Sequence, residues 1–266
     1  MNTKSVFMIL IFFSFLSALT SQSYAQRDFG MEERRLIERF KRADNSFQKG
    51  KEFFIKEKYD RSEKELRQCL EIMPEHANAL LLTSQIYYKR NDFNRALTDI
   101  EKAKKNYAFI AQFYTFIHTE RLEMLRDDKM KLESEIASLQ DALSRATSEE
   151  DRQKSQSALG ALRSQISVIN SRLNEPLPDV LRTPAEYFYI HGNVLFKLQR
   201  YQEAHDQYLE AIKADSKHAN AYNNLINLYY IAKNYELAIK FVNQAEANGA
   251  KINPKLKEAV LRAAGK

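Results

Sequence analysis

Apolar and small residues recur along this chain in one repeated phrase. Tyr59, Phe93, Tyr201 and Tyr235 each open it, and the members of the first and last pairs stand 34 residues apart. Three residues later comes Ser62, Ala96, Ala204 or Ala238; then Leu66, Ile100, Tyr208 or Val242; then Cys69, Ala103, Ala211 or Ala245. Steps of three and four place each set on one face of a helix. A fixed period of this length, with helical spacing inside it, predicts stacked helix-turn-helix units, none of which can bury its apolar face alone. With 6 Gly and 5 Pro in 266 residues, little of the chain is suited to turns, and the expected fold is all-α.

Between the two pairs the pattern changes. Leu125, Leu132, Ile136, Leu139 and Leu143, with Lys129 among them, alternate in steps of three and four, and so do Leu159, Leu162, Ile166, Ile169 and Leu173. The capping sequence Thr147-Ser148-Glu149-Glu150 separates the runs and starts a new helix. Two such seams predict a coiled coil folded back on itself. The register sets Leu139 against Leu159, Ile136 against Leu162, Leu132 against Ile166 and Leu125 against Leu173, completed by Leu143 with Ser155 and Lys129 with Ile169. Tyr114, Ile117 and His118 continue the repeat phase, so residues 111–178 read as a third repeat whose two helices are drawn out into an arm. About 25 paired residues would give it a length of roughly 35–40 Å. Pro176 and Pro178 end it.

The phrases over residues 43–110 and 185–252 resemble the tetratricopeptide repeat. In the first helices Ser46, Lys49-Gly50 and Phe53, then Leu80, Thr83-Ser84 and Tyr87, stand at that family's positions. So do Phe188, His191-Gly192 and Leu195, then Tyr222, Leu225-Ile226 and Tyr229, and Pro74 ends the first repeat where the family has a proline. The resemblance implies a helical-hairpin solenoid, here with a protruding antiparallel coiled-coil arm. Its divisions are a signal peptide (1–25), an N-terminal capping helix (26–42), two repeats (43–110), the arm (111–178), two repeats (179–252) and a C-terminal capping helix (253–266). It also implies a concave groove lined by first helices and able to hold an extended peptide. The positions carried over are Asp44, Phe47, Lys51 and Phe54; Asn78, Leu81, Gln85 and Tyr88; Glu186, Tyr189, Asn193 and Phe196; Asn220, Asn223, Asn227 and Tyr230. Asn220, Asn223, Asn224 and Asn227 form a stripe whose carboxamides both donate and accept, which suits a peptide backbone whatever its side chains; the bland reading is a solvated polar face. Of the family's carboxylate clamp only Lys51 survives.

The N-terminus adds a location. Lys4 precedes an almost wholly apolar run from Val6 to Leu19, and Ser23-Tyr24-Ala25 is a small-x-small site, so a secretory signal cleaved after Ala25 is expected, with an uncleaved anchor as the alternative. The mature chain is then periplasmic, and any membrane contact runs through an uncleaved signal. The net charge of +6 is spread among acids. That fits a solvated helical surface, with no nucleic-acid partner. The tail from Lys251 to Lys266 is more basic and fits a solvated capping helix or contact with an anionic polymer. Cys69 occupies a slot that holds Ala in the other repeats, and a buried small side chain or an intermolecular disulfide are its two readings.

No catalytic constellation is visible. His76, His118, His191, His205 and His218 lack metal-ligand spacing, Cys69 has no neighbouring His, and no phosphate-cradling glycine loop is present. The expectation is a non-enzymatic scaffold without cofactors, binding protein partners and able to self-associate through residues 125–173. The alternative is a structural subunit of a secretion, pilus or flagellar assembly that polymerises through the arm.

Overall fold

The computed structural model describes residues 31–174 and 182–265. The expected signal peptide with its cleavage site, and Pro176 and Pro178, lie outside them. In chain order the helices are α1 (Met31–Ile55), α2 (Tyr59–Ile72), α3 (Ala77–Lys89), α4 (Phe93–Arg145), α5 (Glu149–Leu173), α6 (Ala185–Lys197), α7 (Tyr201–Ala214), α8 (Ala219–Ile231), α9 (Tyr235–Ala247) and α10 (Pro254–Ala263). The fold is all-α, built from helical hairpins. The described residues divide into two compact units, one of residues 31–110 with 182–265, the other of residues 111–174.

In the first unit four hairpins follow one plan: α1 with α2, α3 with the start of α4, α6 with α7, and α8 with α9. The turn inside each hairpin is the same. Glu57, Asn91, Gln199 and Lys233 adopt φ values of 57–61°, the left-handed region. There each N–H bonds the carbonyl three residues back, and the next N–H reaches five back (Lys58 to Phe53, Asp92 to Tyr87, Arg200 to Leu195, Asn234 to Tyr229) at 2.9 Å. These paired bonds satisfy carbonyls that the ending helix leaves open. Across each turn an aromatic of the first helix meets the aromatic that opens the second. Phe54 with Tyr59, Tyr88 with Phe93, Phe196 with Tyr201 and Tyr230 with Tyr235 stand 5.4–5.9 Å apart at steep angles. The 34-residue recurrence of Tyr59, Phe93, Tyr201 and Tyr235 is thus a recurrence of this clasp.

Small residues let the two helices of a hairpin touch. A methyl at Gly50 would lie 2.8 Å from the Leu66 side chain, and one at Gly192 would lie 2.6 Å from the Tyr208 ring. Hydroxyls tighten the first two crossings: Ser62 donates to the Gly50 carbonyl and Ser84 to the Ala96 carbonyl, both at 2.8 Å. Cys69 is wholly buried, and burial pushes its thiol up to about 12, so it is an inert packing group. At the far end Asn253 caps α10, whose Val260 enters the core around Tyr222 and Leu225.

Two boundaries differ from the sequence reading. No separate capping helix precedes the first repeat, because α1 runs unbroken through Arg42 and buries Ile37, Phe40, Ala43, Phe47 and Gly50 along one continuous stripe. Nor is there a third repeat beginning near Ala111. With no Gly or Pro between Phe93 and Arg145, α4 continues through the point where a turn would fall. The third place in the stack is taken by α6 and α7. Tyr187 of α6 donates to Asn78 of α3 at 2.5 Å and packs edge-on against Tyr107 of α4, ring centres 5.2 Å apart.

In the second unit the remainder of α4 and α5 flank a three-residue connection. Ser148 caps α5 by accepting from the Asp151 N–H at 3.1 Å. Between Met124 and Arg145, only Leu125, Lys129, Leu132, Ile136, Leu139 and Leu143 are withdrawn from full exposure. On α5 the withdrawn positions are Ser155, Leu159, Leu162, Ile166, Ile169 and Leu173, with Ala158 and Asn170 beside them.

Two substitutions test the hairpin plan by urea unfolding. Gly192→Ala forces a methyl against a Tyr208 ring that is only 1% exposed. Overpacking should outweigh the gain in helix propensity and cost about 1–2 kcal/mol net. Lys233→Gly should gain about 0.5–1 kcal/mol, since a side chain at positive φ is strained and glycine is not.

Candidate functional site

The first helices α1, α3, α6 and α8 carry the positions expected to line a groove, and the structure sorts them into three groups. Some belong to the core. Phe47 is 6% exposed and packs on His76, with ring centres 4.9 Å apart. Others are committed to bonds between repeats. Asn193 accepts from the Tyr208 hydroxyl at 3.0 Å and from Asn224 Nδ2 at 2.6 Å, which ties α6, α7 and α8 together. Asn223 is likewise engaged within the protein. Its Nδ2 donates to the Ala219 carbonyl at 2.9 Å and, at 3.3 Å, to that of Lys251, while its Oδ1 accepts from Asn253 N–H at 2.8 Å, so it pins the loop before α10.

A third group remains accessible. Lys51 and Asn220 are exposed, and Gln85, Tyr88, Tyr189, Asn227 and Tyr230 are half-buried. The sequence stripe of four asparagines therefore leaves two carboxamides, Asn220 and Asn227, with no side-chain hydrogen bond among the described residues. Tyr88 and Tyr189 lie near the Asn193–Asn224–Tyr208 bonds. Burial lifts the Tyr88 phenol, and the neighbouring Tyr189 lifts it further; burial also raises Tyr208, again with Tyr189 and Tyr88 adding. The half-buried Tyr88 phenol is a neutral donor, and beside it this face offers the Asn220 and Asn227 carboxamides and ring surface.

Two residues of this region escaped the sequence reading. His76 and His218 each precede a first helix and cap it through Nδ1, accepting from the Ala79 and Ala221 N–H at 3.2 and 3.1 Å. Each points Nε2 at a carboxylate of the preceding repeat, Asp44 or Glu186, both at 3.6 Å. Each ring also lies on that repeat's aromatic, Phe47 or Tyr189, with centres 4.9 and 5.1 Å apart. The signal was the sequence His-Ala-Asn-Ala, present at both 76–79 and 218–221.

On the second-helix side, His191 sits in the seam where α4 meets α6 and α7. Lys104 donates to Gln207 Oε1 at 2.5 Å and to His191 Nδ1 at 3.2 Å, and its ammonium stands 4.6 Å from the Phe188 ring centre. His191 Nδ1 also lies 3.1 Å from Gln207 Oε1, to which its other tautomer donates. Burial, with the Lys104 charge second, depresses His191 to about 4. Burial also lowers Lys104, against the pull of Glu101 and Glu210. This arrangement holds a neutral imidazole between repeats and brings no substrate-accessible base to a cleft.

The hairpins with a left-handed turn and a small-residue crossing define a helical-repeat protein. Residues 189–251 match the sequence model of the tetratricopeptide repeat. Comparison with curated protein sequences gives no match. Among solved structures, a thermophilic TPR protein of Thermus thermophilus is 14% identical over 84% of this chain and 100% of its own, with a TM-score of 0.36. PilF of Pseudomonas aeruginosa is 15% identical over 85% of each chain, TM-score 0.36. The TPR2AB domain of yeast Sti1, in a complex with pHSP90, is 15% identical over 84% of this chain and 99% of its own, TM-score 0.28.

The buried imidazole makes a pH prediction. The charged form of His191 is disfavoured in the folded state, so unfolding takes up a proton once the pH falls below the ordinary histidine value. Stability should decline from about pH 6.5 down to the folded value of about 4. The loss amounts to about 3 kcal/mol in all at 1.36 kcal/mol per pH unit. Leu225 holds the equivalent slot in α8, so His191→Leu should fold and lose less stability than wild type over that window in urea titrations at stepped pH.

Proposed function

We propose that this chain is an exported, non-enzymatic scaffold of the bacterial cell envelope that grips a segment of a partner protein on its first-helix face. The observation that carries this reading is the row of Tyr88, Tyr189, Asn227 and Tyr230, half-buried on adjacent repeats. Phenols and a carboxamide without an internal partner suit an extended peptide, since they can bond its backbone and stack on its side chains while requiring no particular charge. Asn193 and Asn224 serve as the frame, because their mutual bond sets the distance between α6 and α8. With Lys51 the only cation carried over from a carboxylate clamp, the partner segment is internal to its chain and not a C-terminus. The apolar N-terminal run with its Ser23-Tyr24-Ala25 site supports export to the periplasm.

A second reading is favoured by the other unit. Met124 and Met130 are each 65% exposed and Val168 is 52% exposed. Such ridges on a pair of long helices suit self-association, as in a structural subunit of an envelope assembly.

In-cell photocrosslinking separates the two. A photoreactive residue at Asn227 should capture a different protein, and Tyr189→Ala should reduce that capture at unchanged protein level. Capture only of a second copy, through a probe at the exposed Gln140, would replace the scaffold with the structural subunit.

A further inference from the structure

The seams between successive hairpins use equivalent positions on their second-helix side and fill them differently. Between the second and third hairpins, His191 and Gln207 receive the ammonium of Lys104. Between the third and fourth, the equivalents of His191 and Gln207 are Leu225 and Phe241, both buried in the apolar core. Between the first and second, they are Thr83 and Asp99, while the place of Lys104, 34 residues earlier, is taken by Leu70. That first seam keeps polar groups but has no ammonium at the place of Lys104.

The consequence is a cleft of about 270 Å³, lined by Leu70, Thr83, Tyr87, Thr98 and Asp99 together with Glu63, Arg67 and Arg95. Asp99 accepts from the Thr83 hydroxyl at 2.8 Å, and among the described residues nothing forms an ion pair with it. Burial raises its carboxyl above the ordinary range, opposed by the Thr83 bond and the more distant Lys102. The neighbouring arginines are engaged elsewhere. Arg67 and Arg90 both bind Glu63, at 3.2 and 2.5 Å. Arg95, on the same helix as Asp99, turns to Asp92 at 3.3 Å and covers the Tyr87 ring at 5.6 Å. A partly buried carboxylate holding a single neutral donor has acceptor capacity left over, and a cation supplied from outside is what would satisfy it.

We infer that this cleft, between α2, α3 and α4 and apart from the groove positions, is a second binding site that takes an alkylammonium group onto Asp99 and the Thr83 hydroxyl. The bound group does what Lys104 does one seam later, and the source it fits is a lysine side chain of a protein partner. Leu70 and the Tyr87 edge receive its methylene stem. The site does not depend on the groove reading, since none of its residues lies there.

Titration of the full chain, followed by amide and side-chain NMR, tests this with two probes, 1,5-diaminopentane and Nα-acetyl-lysine-N-methylamide. Resonances of Thr83, Tyr87 and Asp99 should move with at least one probe, with a dissociation constant in the millimolar range. Asp99→Asn, which preserves shape, should weaken the effect at least tenfold. Leu70→Lys should abolish it, because the new ammonium occupies the site from within. Tighter binding of the lysine derivative than of the diamine identifies a protein side chain as the ligand, and the reverse order identifies a free amine. The site is disproved if neither probe moves these resonances, or if Asp99→Asn responds like wild type.

Discussion

Everything in the repeat unit depends on how closely the two helices of a hairpin can approach. At Gly192 there is no room for a methyl beside Tyr208, and at Gly50 none beside Leu66. That approach lets the second helix present Tyr208 to the interior, where its hydroxyl reaches Asn193 and through it Asn224. The register of α6 against α8, and with it the spacing of the tyrosines on the first-helix face, follows from one missing side-chain carbon. Where a serine replaces glycine, as at Ser84, its hydroxyl donates to the opposing Ala96 carbonyl, so close approach becomes a bond and not a collision.

The repeats were legible because their cause is local. A left-handed turn, an aromatic clasp over five residues and a small residue at the crossing all leave marks at fixed spacing, which is why Tyr59, Phe93, Tyr201 and Tyr235 reveal them. The helix ends were less legible. The phase of Tyr114, Ile117 and His118 continues the repeat, but phase records which face is apolar and not whether the helix stops. Without a glycine, proline or left-handed residue near Ala108, α4 does not stop.

The candidate site was half legible. Tyr88, Tyr189, Asn227 and Tyr230 are half-buried on the first helices. Asn223 and Asn193 stand there too, yet their carboxamides bond Asn253 and Tyr208, far along the chain. Whether an amide is free depends on tertiary partners that no spacing rule records. The first-seam cleft was invisible for the same reason. Leu70 and Asp99 are ordinary residues separately, and become informative only beside Lys104 and Gln207.

The unbroken α4 also governs how the molecule can fold. In an ordinary array each unit packs on its neighbour in sequence, and folding spreads along the chain by short steps. The seam between α6 and α8 is of that kind, with Asn193 and Asn224 separated by 31 positions. The seam that α3 and α4 form with α6 and α7 is not: Lys104 and Gln207 are 103 positions apart, and Asn78 and Tyr187 are 109. Closing so long a loop costs entropy before any contact repays it. The unbroken α4 thus makes the order of assembly depend on one long-range seam as much as on the local ones.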